Sequence, residues 1–389
     1  MADESGTRPV TGPVLAALEA IFDGSPRPLP LHAPSLGPDE IREVQACVES
    51  GWVSYLGSHV AAFEAELQRI CGCAGVVSTC SGTAALHLAL LAAGVGRDDE
   101  VLMPPLSFVA TANAAAYLGA VPHFVDIEAT SLGVCAQALQ AHLEAMAAPG
   151  PDGPRNPLTG RRIAALAVVH AFGHPADLDA LADVCARWGL PLVEDAAEAL
   201  GSLYKGRHVG RHGLVSALSF NGNKIVTTGG GGAVFSDDAA LIARVRHTAS
   251  TAKVPHPWES RHDEVGFNYR MPALNAALGL AQARRLDDLL ERKRALAQRY
   301  AEAFSAMPGV RFLAEPPATR SNFWLNTLVL EHASMRDGLL AAAREAGFAL
   351  RPAWELLCDL PMYAGCPRAA LPRARDLQPR LVNLPSSPE

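Results

Sequence analysis

Short apolar runs alternate with helical patterns through the first half of the sequence. Helical patterns, such as those at residues 108–117 and 177–188, separate the runs from one another. The runs that predict strands lie at residues 76–78, 100–103, 121–125, 163–170, 190–193 and 214–220. Strands joined through helices pair in parallel, because a parallel connection has to cross back over the sheet. The sequence therefore predicts an α/β fold whose mostly parallel central sheet is flanked by helices on both faces.

The pattern changes after residue 265. A long helical region at residues 275–304 is followed by a strand–helix–strand pattern over residues 324–351. The predicted parts are an N-terminal extension (1–34), a large domain (35–265) and a smaller C-terminal α+β domain that begins with the long connecting helix (266–389). The extension is rich in Gly, Pro and Ser, and we expect it to lie over the body of the protein or over a neighbouring chain.

Composition argues against several classes of protein. The formal net charge of −7 disfavours a nucleic-acid surface, which needs clustered Lys and Arg. The longest apolar run, residues 84–95, contains His87 and is too short to span a bilayer. The 8 cysteines show no two pairs at zinc-site spacing, and no signal-peptide pattern is present. We therefore expect a reduced, soluble, cytoplasmic protein that binds neither nucleic acid nor membrane.

One lysine stands where an amine can reach a bound cofactor. Lys224 follows the apolar run 214–220 and precedes the consecutive glycines at 229–232. A lysine in a tight turn directly after a buried strand is well placed to form a Schiff base with a carbonyl group. A surface lysine beside a flexible hairpin is the competing interpretation, and the remaining motifs have to decide between the two.

Two further features also follow predicted strands. Gly82, Thr83 and Ala84 open a helix, where free N–H groups and the helix dipole suit a phosphate, although an ordinary N-cap is the alternative. Asp195 ends an apolar strand, where a carboxylate needs a cation such as a protonated pyridine; a salt bridge or a helix cap is the alternative. Ligands collect at the carboxyl ends of parallel strands, so these groups can meet Lys224 there. Together they match the phosphate, ring nitrogen and aldehyde of pyridoxal 5′-phosphate (PLP).

Several ordered motifs resemble the DegT/DnrJ/EryC1/StrS family of sugar aminotransferases. They are the runs SGTAAL at 81–86, PLSFVATAN at 105–113, VEDAAE at 193–198, SFNGNK at 219–224 and GFNYRM at 266–271. The likeness extends from about residue 31 to residue 385. It implies PLP fold type I, the fold of aspartate aminotransferase, in an obligate homodimer with shared active sites. It also implies a PLP-dependent nucleotide-sugar transaminase.

Within that family, the chain most resembles the branch that aminates UDP-linked 4-keto-6-deoxy-N-acetylhexosamines, as in legionaminic-acid pathways. The run NGNKIVTTGGGG at 221–232 carries this resemblance, since the wider family usually has a glutamate where this chain has Gly230. The runs VVHAFGHP at 168–175 and NLPSSP at 383–388 are similar to the same branch. This implies transfer of an amino group from glutamate to C4 of the sugar, for bacterial surface-glycan or nonulosonic-acid biosynthesis.

The resemblance also implies a role for each matching residue. Lys224 forms the Schiff base and moves protons, and Asp195 holds the pyridinium. The other expected cofactor contacts within the chain are Gly82, Thr83, Ala84 and Ser219 at the phosphate, Phe108 on the ring face and Glu198 near the ring's 3-oxygen. Asn268 is expected to reach the phosphate from the partner subunit.

Other polar and aromatic side chains leave alternatives open. Three residues of the small domain either contact the sugar nucleotide or pack domain against domain: Trp324, Arg351 and Tyr363. His170 and His174 have metal-like spacing, but the glycine and proline beside them prevent one helix from presenting both rings. We therefore expect no metal, and we expect these histidines to line the cleft.

Two other functions are compatible with the predicted fold. A PLP-dependent sugar dehydratase is one, but the dehydratases that we would compare have a histidine in place of the lysine, and Lys224 argues against this function. The other is a non-catalytic regulatory protein that keeps PLP without turnover. A spectral shift on addition of glutamate would separate such a protein from an enzyme.

Overall fold

The computed structural model describes residues 10–388. The helices are α1 (Thr11–Ile21), α2 (Pro38–Ser50), α3 (Ser58–Cys71), α4 (Gly82–Ala92), α5 (Ala110–Tyr117), α6 (Ala136–Met146), α7 (Leu178–Trp188), α8 (Ala239–Ala249), α9 (Ala273–Arg284), α10 (Leu286–Phe304), α11 (Arg336–Glu345) and α12 (Pro372–Leu377). The strands are β1 (Gly75–Thr79), β2 (Glu100–Met103), β3 (Val121–Phe124), β4 (Ile163–Val169), β5 (Leu192–Asp195), β6 (Leu203–Tyr204), β7 (Arg207–His208), β8 (Val215–Ser219), β9 (Gly232–Ser236), β10 (Lys253–Val254), β11 (Arg261–His262), β12 (Val310–Phe312), β13 (Thr319–Arg320), β14 (Asn326–Leu330), β15 (Arg351–Pro352) and β16 (Leu381–Leu384). Across this described range, none of the helices combines the length and apolar character needed to cross a membrane.

A seven-stranded sheet forms the centre of the larger body, in the order β1-β9-β8-β5-β4-β2-β3. The pairs β8–β5, β5–β4, β4–β2 and β2–β3 are parallel, and β9 is antiparallel to both of its neighbours. All residues of β4 are buried, as expected for a strand covered on both faces. The predicted mostly parallel sheet is confirmed. The prediction lacked β9, which returns from β8 through the turn that carries Lys224.

The smaller body is built on a four-stranded antiparallel sheet, β12-β14-β16-β15. Apolar residues of α10 and α11 pack on this sheet, together with Phe348. Helix α1 completes the same core, because Val14 and Leu18 are fully buried in it. Helix α1 and Leu29 of the predicted N-terminal extension therefore help to form the core of the smaller body, whereas Leu31 packs against the core of the larger body. Residues 1–9 of that extension lie outside the described residues.

The predicted long helix over residues 275–304 is two helices. Helix α9 ends at Arg284, and Arg285 has φ −100° and ψ 5°, so the chain changes direction before α10. Helix α9 packs against α2 and α3, whereas α10 packs against α1 and β12. The break contains no Gly or Pro. It arises because the two helices pack on different bodies. The domain boundary near residue 266 stays a prediction, and the structure places α9 in the core of the larger body.

Candidate active site

A cavity of about 380 Å³ opens at the carboxyl ends of β5 and β8, beside the first turn of α4. Ligands collect at this edge of open α/β sheets. Most of the predicted site residues line it: Gly82, Thr83, Phe108, Asp195, Glu198, Ser219, Lys224 and Trp324. A larger open groove of about 670 Å³ lies on the small domain, but none of the predicted site residues lines that groove. The chemistry expected from the sequence therefore belongs to the smaller cavity.

Lys224 enters the cavity from the tight turn between β8 and β9. Its backbone N–H donates to the Asn221 carbonyl at 2.9 Å, and the Thr228 N–H donates to the Phe220 carbonyl at 2.9 Å, which closes the turn. The Lys224 Nζ lies 3.6 Å from Glu198 Oε1, and its side chain is only 13% exposed. Burial lowers the pKa of the Lys224 amine, so its nucleophilic neutral form is more accessible than that of a surface lysine. The interpretation as an exposed surface lysine is wrong.

Asp195 is the last residue of β5, and it is almost fully buried. Thr111 Oγ1 donates to its Oδ2 at 2.7 Å, and the Ala197 N–H donates to its Oδ1 at 3.1 Å. Burial raises the pKa of Asp195, while these two hydrogen bonds and the charge of Lys224 oppose the shift. A buried carboxylate held by neutral donors is stabilised by a cation close to it. The position therefore suits a protonated ring nitrogen.

Glu198 lies in the same cavity and faces Lys224. Its Oε2 accepts the Phe172 N–H at 2.8 Å. Burial raises the pKa of Glu198 to about 7, although the charge of Lys224 opposes this shift. The Glu198 carboxyl can therefore change its protonation state near neutral pH.

We expect Glu198 to make the stability of the cofactor-free protein depend on pH. Its pKa rises from 4.5 to about 7 on folding, so the folded state keeps the proton to higher pH than the unfolded state does. The resulting stabilisation is complete below pH 4.5 and is lost as the pH rises to about 7, by at most about 3 kcal/mol. Denaturant unfolding at about pH 5 and about pH 7.5 should show a smaller decline for Glu198→Gln than for the wild type. The exposed Glu345→Gln is the matched control, and equal declines in all three proteins would contradict the assignment.

The first turn of α4 and the end of β8 form a cradle for an anion. Gly82 and Thr83 begin the helix, so their N–H groups have no acceptor within it, whereas the Ala84 N–H donates to Ser81 Oγ at 3.1 Å. A Cβ on Gly82 would come within 2.7 Å of the Ser219 Cβ. Glycine at this position therefore lets the Ser219 hydroxyl stand beside the helix start. Free N–H groups at a helix N-terminus, with hydroxyls beside them, suit a phosphate.

Two aromatic rings form the outer wall of the cavity. Phe108 is 54% exposed, and its ring centroid lies 6.5 Å from that of Trp354. Trp354 in turn stacks on Phe172, with 5.0 Å between the ring centroids. An exposed ring inside a cavity can stack on a flat ligand. The anion cradle, the buried carboxylate, the amine and this ring thus fit the phosphate, nitrogen, aldehyde and face of PLP.

Four predicted residues do not line the cavity. Ala84 is buried in the first turn of α4, and its backbone N–H already donates to Ser81 Oγ, which corrects its expected place at the phosphate. Asn268 forms a backbone bridge with Ser250, and Arg351 is exposed on β15. Tyr363 is buried, and its hydroxyl donates to Asn113 Oδ1 at 2.5 Å. This contact joins the small domain to α5, which favours the packing alternative for Tyr363. The expected role of Asn268 at the phosphate requires the partner subunit.

Several other residues line the cavity that were not predicted from the sequence, among them Ser107, Thr111, Asn221, Asn223 and Trp354. The Ser107 and Thr111 hydroxyls are 2.9 Å apart and continue the hydrogen-bonded chain to Asp195. The four-residue spacing of these two hydroxyls was a usable signal. Trp354 had no comparable signal, because the small domain brings it to the cavity.

Neither His170 nor His174 lines the cavity, which corrects the expectation from the sequence. Both are fully buried. His170 Nε2 lies 3.1 Å from Glu194 Oε2, and His174 packs edge-on against Phe323. These histidines are therefore part of the buried interior and not of the cleft.

The chain matches known proteins over most of its length. The profile of the DegT/DnrJ/EryC1/StrS aminotransferase family matches residues 34–389. EpsN of Bacillus subtilis (strain 168), assigned as a pyridoxal phosphate-dependent aminotransferase, is 36% identical over 333 residues, 86% of this chain and 83% of EpsN. A GDP-perosamine synthase of Vibrio cholerae is 33% identical over 365 residues, which cover 92% and 94% of the two chains. The solved structure of the aminotransferase TlmJ from Streptoalloteichus hindustanus superposes with a TM-score of 0.82 at 31% identity, over 92% of this chain and 93% of that chain.

Proposed function

Because this chain belongs to the DegT/DnrJ/EryC1/StrS aminotransferase family, we propose that it transfers an amino group from glutamate to C4 of a UDP-linked 4-keto-6-deoxy-N-acetylhexosamine. Family membership makes it a PLP-dependent sugar aminotransferase of fold type I. The meeting of Lys224, Asp195 and the start of α4 in one cavity supports the amino-transfer chemistry, and the open space beside Gly230 is the observation that supports the substrate. The product would serve bacterial surface-glycan or nonulosonic-acid biosynthesis.

The side chains of the cavity divide the chemistry among them. PLP supplies an aldehyde that exchanges amines and a ring that withdraws electrons from the amine bonded to it. The N–H groups of Gly82 and Thr83 and the Ser219 hydroxyl would hold the phosphate, and the Asp195 carboxylate would hold a proton on the ring nitrogen. With PLP bound, Lys224 Nζ would take up the proton from the α-carbon of glutamate and hold it for its return. The same lysine would carry a proton in the sugar half-reaction, so it would be both the group that bonds to the cofactor and the proton carrier.

The cavity has room beside Gly230 for a bulky acylated sugar. Gly230 lines the cavity, and a Cβ built there would meet no atom within 4 Å. The wider family usually has a glutamate at this position, so its absence leaves open space for a substituent such as an N-acetyl group. A GDP-linked sugar is the alternative substrate, because the similar protein of Vibrio cholerae is a GDP-perosamine synthase.

We expect the enzyme to prefer UDP-linked N-acetylated keto-sugars. The test is a panel of UDP- and GDP-linked 4-keto-6-deoxy sugars, with and without the N-acetyl group, incubated with glutamate and analysed by NMR. The value of kcat/KM should be at least roughly tenfold higher for the UDP-linked N-acetylated sugar. Gly230→Glu should reduce this value more for acylated than for non-acylated sugars. A preference for GDP-linked sugars, or an equal effect of Gly230→Glu on both kinds of sugar, would contradict the substrate assignment.

We also propose that the working unit is a homodimer with shared active sites. Asn268 does not line the cavity of its own chain, so a role at the phosphate requires a second copy. Ile41, Trp52 and Leu56 are exposed on α2 and the loop after it, and exposed apolar side chains of this kind mark interaction surfaces. The cytoplasmic location stays a prediction.

A further inference from the structure

Trp324 separates the amine of Lys224 from the interior of the small domain. The Lys224 Nζ stands 3.6 Å from the centroid of the Trp324 ring, which is within the range of a cation–π contact. The indole N–H donates to the Asn223 carbonyl at 2.7 Å, so the ring is also tied to the backbone beside the lysine. Trp324 is 4% exposed and therefore keeps water away from this side of the amine.

The segment that carries Trp324 is locked to the large domain. The backbone N–H of Trp324 donates to Asn322 Oδ1 at 2.9 Å. The Asn322 side-chain amide donates to the backbone carbonyls of Glu198 and Leu200, also at 2.9 Å. Phe323 has a φ of 48°, which a residue with a side chain keeps only where its surroundings impose it. The position of the indole is thus fixed by directed contacts and by a strained backbone, and such strain is frequent at functional sites.

A buried lysine holds the backbone of Trp324 from the other side. Lys293 is fully buried in α10, and its Nζ donates to the Trp324 carbonyl at 3.1 Å and to the Ser386 carbonyl. His32 lies in the same region, where burial and the charges of Lys293 and Lys224 lower its pKa. His32 is therefore neutral at pH 7 and adds no charge beside the indole.

We propose that Trp324 is a positioning residue whose indole face holds Lys224 as an ammonium ion whenever this lysine is not bonded to the cofactor. This role rests on the proposed function, in which Lys224 alternates between anchor and free acid–base group. The charged groups that face Lys224 are Glu198 and Asp195. Each has another partner, since Glu198 accepts from the Phe172 N–H and Asp195 accepts from the Thr111 hydroxyl and the Ala197 N–H. An aromatic face stabilises the cation without competing for either carboxylate. The proton taken from the donor can thus rest on Lys224 before it is delivered.

The test measures the amine itself. The enzyme is loaded with pyridoxamine 5′-phosphate, which leaves Lys224 unbonded, and trace labelling with fluorodinitrobenzene across a pH series is followed by peptide mass spectrometry. Trp324→Leu should lower the apparent pKa of Lys224 by roughly one unit. Trp324→Phe, which keeps an aromatic face, should retain a large part of the wild-type value. Trp354→Leu, which removes the other cavity indole, is the matched control and should leave the value unchanged.

Replacement of all 5 tryptophans by 5-fluorotryptophan tests the same contact without a change of shape. Fluorine withdraws electron density from the ring face, so the pKa of Lys224 should fall, by less than in Trp324→Leu. An unchanged labelling profile in a folded Trp324→Leu protein overturns the proposal. If that variant does not fold, an unchanged profile in the fluorinated enzyme overturns it. Loss of turnover with no change in the profile shows a packing role only and also overturns it. The assay contains no sugar, so its failure is distinct from a failure of the proposed substrate.

Discussion

Lys224→Ala should abolish amino transfer while leaving a folded protein that still binds PLP. The substitution removes both the group that bonds to the cofactor and the group that moves the proton, so turnover should fall by roughly 10⁴-fold or more. The visible absorbance of the lysine-bound cofactor should disappear as well. In the wild type, borohydride reduction should add the mass of the cofactor to the peptide that contains Lys224, and the variant should gain no such mass.

Lys205→Ala is the matched control for this experiment. Lys205 follows β6, is 56% exposed and forms a surface ion pair with Asp179. Its removal should leave turnover and cofactor absorbance at wild-type levels. Turnover by Lys224→Ala at a rate near that of the wild type, or reductive labelling of a different lysine, would show that the amine of the reaction lies elsewhere.

Two inactive chains should restore activity when they are mixed. Lys224→Ala lacks the amine, and Asn268→Asp places a negative charge where the dimer is proposed to bind the phosphate. If Asn268 acts across the interface, a heterodimer of these chains has one site with both Lys224 and Asn268 intact. Activity should rise from the background of either chain alone to about half of the wild-type value per heterodimer. Differently tagged chains, purified as heterodimers after exchange, provide the measurement.

The matched control uses two residues of the same cavity. Lys224 and Asp195 line one cavity of one chain, so every site of a heterodimer between Lys224→Ala and Asp195→Asn carries a defect. This mixture should stay inactive. The shared-site geometry is wrong if verified heterodimers of Lys224→Ala and Asn268→Asp are also inactive, given that Asn268→Asp is inactive alone.

The parts of the site that follow strands could be predicted from the sequence. Lys224, Asp195 and Gly82 each come directly after an apolar run, and the topology of a parallel sheet brings such positions to one edge. Asp195 also carries its own signal, because an acid at the end of a buried strand is costly unless it has a partner, whereas a glycine at a helix start is common. The local sequence pattern and the sheet topology were therefore sufficient to predict the residues at the floor of the cavity.

The wall that the smaller body contributes could be predicted only in part. Trp324 was a candidate contact for the sugar nucleotide, with packing between domains as the alternative, whereas Trp354 was not predicted. The direction of both side chains depends on how two bodies pack, which leaves no periodic trace in the sequence. The break at Arg285 has the same origin, since the sequence predicts one helix over residues 275–304 and the two halves pack on different partners. The prediction that His170 lines the cleft was wrong. A polar side chain near the end of a strand can be buried as well as exposed in a cleft, and the sequence pattern does not distinguish the two.

The position of α1 has a consequence for the synthesis of the chain. Its apolar residues Val14, Leu18 and Ile21 are buried against α10 and α11, yet roughly 265 residues separate the end of α1 from the start of α10. At about 5–20 residues per second, the ribosome needs roughly ten to fifty seconds to make that distance. During this time the larger body has left the ribosome and can fold, while the apolar face of α1 stays exposed because α10 and α11 have not yet been made. Helix α1, the first of the described helices to leave the ribosome, is thus among the last to reach its final place, and until then it exposes the kind of apolar surface that chaperones of nascent chains bind.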